Sequence, residues 1–177
     1  MSDLRPAGVP VRFDGSDRRF LFTFEVIDEL QAMHPGTSIF RMIDESGKDT
    51  LEGLLLLVDI VYALCGGELT RTDIMQALKT NTLRGGGSLQ EVREAISLAL
   101  MESMPYPDET GDDPRGESSG LIEIPKFMII AMTRFRMTEP EAWRLTLRKF
   151  SMLNDAYLTI NGMKKADEDR MTLSMLP

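Results

Sequence analysis

The stretch Leu51–Cys65, LEGLLLLVDIVYALC, restricts the possible folds more than any other part of the chain. It is apolar almost all round, and a helix with no polar side has to be wrapped by other elements. It is too short to cross a bilayer, and it carries Glu52 and Asp59. The expectation is a central helix inside a shell. Asp49 or Thr50 can cap its start, and Gly66-Gly67 ends it. Asp59 is the odd residue, read as emerging at a gap between neighbours rather than as a catalytic group.

The shell has to come from the rest of a 177-residue chain that is 42% hydrophobic, enough for a real core. Val9–Phe13 and Arg19–Phe24 read as short strands, with Asp14-Gly15-Ser16-Asp17 as the turn between them. Phe20, Phe22 and Phe24 alternate with other residues, the period of a strand with one strongly buried face. A helix follows from Phe24 or Glu25 to Met33, with Val26, Ile27, Leu30 and Met33 as its apolar stripe and Pro35-Gly36 as its stop. A shorter helix is expected over Ser38–Asp44, with Ile39, Phe40 and Ile43 inward.

Thr70 with Asp73, and Ser88 with Glu91, have the form of capping boxes. The first opens a short helix with Ile74, Ala77 and Leu78 inward. The second opens a longer one with Leu89, Val92, Ile96 and Ala99 or Leu100 on one side. The residues between, Arg84-Gly-Gly-Gly87, read as a flexible turn, since no phosphate-loop pattern is present.

Pro105–Gly120, PYPDETGDDPRGESSG, breaks the composition sharply and predicts an acidic flexible linker. A calcium loop beginning at Asp112 fails, because Pro114 would be a ligand and Glu117 would stand where glycine is required. The expected organisation is a hairpin and helical body over 1–104, the linker over 105–120, a helical module over 121–160 and a flexible tail over 161–177. In that module Pro125 starts a helix to about Arg136, with Phe127, Ile130 or Ala131, and Phe135 available for packing. Met137–Tyr157 then reads as one amphipathic helix of about five turns, opened by a Thr138/Glu141 capping box. Trp143, Leu147, Phe150 and Tyr157 share one face of it, which is either core or a partner-binding surface. Glu141, Arg144, Arg148 and Asp155 fall on the other, wet side. Arg134, Arg144 and Arg148 form a candidate basic surface. Met128, Met132, Met137, Met152, Met163, Met171 and Met175 all follow the linker; such adaptable side chains are found on partner-accommodating surfaces, but their spacing alone favours a loosely packed two-helix module.

The formal net charge of −8 argues against a protein that neutralises nucleic-acid phosphates. A single Cys65 and a single His34 cannot build a zinc site, and no disulfide within the chain is possible. Cys65 reads as a small buried hydrophobe and His34 as a helix-end residue. No paired carboxylates, nucleophile–base set or nucleotide loop stands out, so no enzyme activity, cofactor or metal is expected. The fold class expected is mainly α with a small N-terminal β-hairpin (α+β), and the function class is protein–protein interaction.

The order of these parts resembles a known family. RPAGVPVRFDGSDRRFLFTFEVIDELQ, leading into helices that end GGELTRTDIMQAL, is similar to the tail assembly chaperones of long-tailed bacteriophages and related gene transfer agents. MTEPEAWRLTLRKFSMLNDAY resembles the C-terminal extension such chaperones carry. The resemblance implies a non-enzymatic protein that guards the tape measure protein and recruits tail tube subunits in the host cytoplasm. It also implies absence from the finished particle. The rival reading is a structural virion component, such as a head–tail connector or completion protein.

Overall fold

The computed structural model describes residues 8–84, 89–105 and 121–162, with residues 81–84 described by backbone only. The expected Gly85–Gly87 turn, linker residues 106–120 and the tail from 163 onward lie outside the described residues. The fold is mainly helical with one small hairpin at its N-terminal end, as the residue patterns predict.

Strands β1 (Val9–Phe13) and β2 (Ser16–Phe20) pair antiparallel, with Phe13 opposite Ser16 and Val9 opposite Phe20. The turn is only Asp14 and Gly15, both at positive φ (53° and 71°). That geometry matches the twist of the flanking strands, and Asp-Gly tolerates it. The second strand therefore begins at Ser16, not Arg19, and stops at Phe20 rather than Phe24. It stops because the next amides bond elsewhere. The Phe22 amide donates to the Ser103 hydroxyl at 3.1 Å, and the Phe24 amide donates to the Leu145 carbonyl at 2.8 Å. The alternation of phenylalanines outlives the strand: Phe20, Phe22 and Phe24 are all fully buried.

Helix α1 (Phe24–Met33) starts where the Thr23 hydroxyl accepts the Val26 amide, and buries Phe24, Val26, Ile27 and Leu30. Helix α2 (Ile39–Ser46) is capped by Ser38 and buries Ile39 and Met42. Phe40, expected inward, is 42% exposed, since Ile39 and Met42 define the inner face at a spacing of three.

Helix α3 (Leu51–Leu64) is capped by Thr50, and Gly66 and Gly67 end it at positive φ. Leu57, Val58, Ile60 and Val61 are buried against α1, α2 and the next helix, α4 (Arg71–Arg84). The shell is incomplete, however: Leu51 is 67% and Leu55 49% exposed. Nothing among the described residues covers that side. Helix α4 opens with the Thr70/Asp73 box and, at 14 residues, is longer than expected. Ile74, Ala77 and Leu78 do point inward. Helix α5 (Leu89–Ser103) buries Val92, Ala95, Ile96, Ala99 and Leu100, and its inner face supports the hairpin.

Helix α6 (Ile124–Arg134) follows residue 120. The expected long helix over 137–157 is instead two pieces, α7 (Glu139–Trp143) and α8 (Leu147–Ile160). The break has a local cause. Thr146 takes extended backbone (φ −95°, ψ 160°), and its hydroxyl accepts the Lys149 amide at 3.2 Å, which starts a second helix. The bend also turns the Leu145 carbonyl toward Phe24.

The helices after residue 120 share one buried core with those before 105. Phe24 lies 5.8 Å from the Phe127 ring and 5.9 Å from Phe150, which meets Phe127 edge-on at 4.9 Å. The Gln31 side chain donates to the Ile122 carbonyl at 2.9 Å and accepts its amide at 2.8 Å, as a neighbouring strand would.

Candidate functional site

The four residues expected on one face of a single helix are divided between α7 and α8. Leu147 and Phe150 are core, and Phe150 is the centre of an aromatic cluster with Phe24, Phe127 and Phe135. Tyr157 extends that cluster, its ring 6.3 Å from Phe135. Trp143 ends α7 half-buried, and its indole N–H reaches the Glu139 carboxylate at 3.3 Å. Most of this face is spent on the protein's own packing.

The three arginines have separate surroundings. The Arg134 guanidinium lies 5.7 Å over the Tyr157 ring and donates to Asn154 at 3.3 Å. Arg144 is exposed at the end of α7. Arg148 is not on a wet side: its Nε donates to the Met104 carbonyl at 2.8 Å and its Nη2 to the Met101 carbonyl at 2.5 Å. It thus satisfies the Met101 carbonyl in the last turn of α5 and the Met104 carbonyl just beyond it, where a cation also meets the favourable end of the helix dipole. Of the methionines, Met128 is buried, while Met132 and Met152 are exposed.

The structure also assembles a group that the sequence does not announce. Asp59 on α3 receives Arg71 Nε at 2.5 Å on one oxygen and His34 Nε2 at 3.0 Å on the other. The Arg71 guanidinium stacks 4.6 Å over Tyr62, and the Asp59 contact holds its pKa above the ordinary value. Asp59 does emerge at a gap, but it emerges paired. Beside it, α3 and α4 leave an open cleft of about 680 Å³, lined by Leu55, Val58, Asp59, Arg71, Met75 and Lys79 among others. The sequence signal for this was the short connection through Gly66-Gly67, which forces α4 back along α3 and brings Arg71 opposite Asp59.

Cys65 is buried, and burial pushes its thiol pKa up while Arg18 pulls it partly back. It is therefore a neutral thiol at physiological pH. Among the described residues no three His, Cys, Asp or Glu side chains gather as metal ligands. No helix among them is long and apolar enough to cross a membrane. Compared with protein-family models, curated proteins and solved structures, the chain gives no significant match.

Proposed function

We propose that the chain is a non-enzymatic tail assembly chaperone of the kind used by long-tailed bacteriophages and gene transfer agents. It would bind the tape measure protein and recruit tail tube subunits in the host cytoplasm, and leave before the particle is finished. One observation carries this reading beyond the resemblance of the sequence: large apolar side chains are left open on several helices. Leu51 and Leu55 on α3, Leu98 and Met101 on α5, Ile129 on α6 and Met152 on α8 are each 48% exposed or more. Exposed apolar surface of this kind fits a protein that shields apolar segments of another chain. The net charge of −8 keeps such a protein apart from its own copies.

The test is co-expression of the full chain with the tape measure and tube proteins that this reading expects to be encoded beside it. Co-purification of the tape measure protein with the chain, together with absence of the chain from purified particles, is the expected result. Ring-shaped oligomers that remain in purified particles would transfer the chain to the head–tail connector class.

A further inference from the structure

We draw no further inference here: the strongest candidate, the open cleft between α3 and α4 beside the Asp59–Arg71 pair, carries nothing, because its walls mix apolar Leu55, Val58 and Met75 with polar Thr72 and Gln76 and nothing in the structure shows what covers it.

Discussion

Ser103 illustrates how much rests on a single buried hydroxyl. It is fully buried, accepts the Phe22 amide and donates to the Ala99 carbonyl at 2.7 Å. Ser103→Ala leaves the Phe22 amide without an acceptor, and should lower stability by about 1–3 kcal/mol in urea titrations. Arg148→Ala should cost a similar amount, about 1–3 kcal/mol, by baring the Met101 and Met104 carbonyls. Arg148→Lys should recover only part of it, because one ammonium cannot reproduce the fork that reaches Met101 and Met104. Two carboxylates work at helix starts instead. Hydrogen bonds from Thr70 to Asp73, and from Thr138 to Glu141, lower both pKa values below the ordinary 3.8 and 4.5. A lowered folded-state pKa gives stability that is present above the unfolded value and is lost as pH falls through the folded one. Glu141→Ala should therefore be less stable than the parent at pH 7 and no different at pH 2. A gap that persists undiminished at pH 2 would mean that packing, and not the charge, carries the effect.

At the scale of elements, the residue patterns were informative wherever local chemistry decides. The place of the hairpin turn at Asp14-Gly15 (though not its two-residue length), the capping boxes at Thr70 and Thr138, and the stops at Gly66-Gly67 and Pro35-Gly36 all depend on chemistry within a few residues. They could be read directly. What could not be read depends on distant partners. Strand β2 ends early because Ser103 and Leu145 take its next amides, and the Thr146 break serves a contact with Phe24. Arg148 looked like a surface cation because its acceptors lie on another helix. The Asp59 group and the adjoining groove need the α3–α4 pairing before they exist. Gly53 makes the same point as a prediction. Helix propensity alone says that Gly53→Ala in α3 should stabilise by about 1 kcal/mol. A Cβ there would meet the Lys48 carbonyl at 2.6 Å and the Glu45 carbonyl at 2.7 Å. Thermal melting should show a loss, with the α2–α3 junction pushed apart. In the same helix, Leu57→Asp should unfold the chain, since Leu57 is fully buried and an unpaired charge there costs several kcal/mol.

The whole molecule is held by a seam between residues 22–31 and the helices that follow residue 120. Phe24 touches Phe127 and Phe150, its amide bonds Leu145, and Gln31 clasps Ile122. A chain cut after Gly120 strips all of these away and opens the fully buried Phe24 to water. It should bind a hydrophobic dye and melt well below the full chain. A melting temperature equal to that of the full chain would show that the seam contributes little.

That seam also sets an order of events during synthesis. Phe22 emerges from the ribosome 81 residues before Ser103, and Gln31 emerges 91 residues before Ile122. At 5–20 residues per second, the wait is on the order of ten seconds. Through that interval Phe22 waits for Ser103 of α5, and Phe24 waits longer for Phe127 and Phe150, so the hairpin is covered before the start of α1 is sealed.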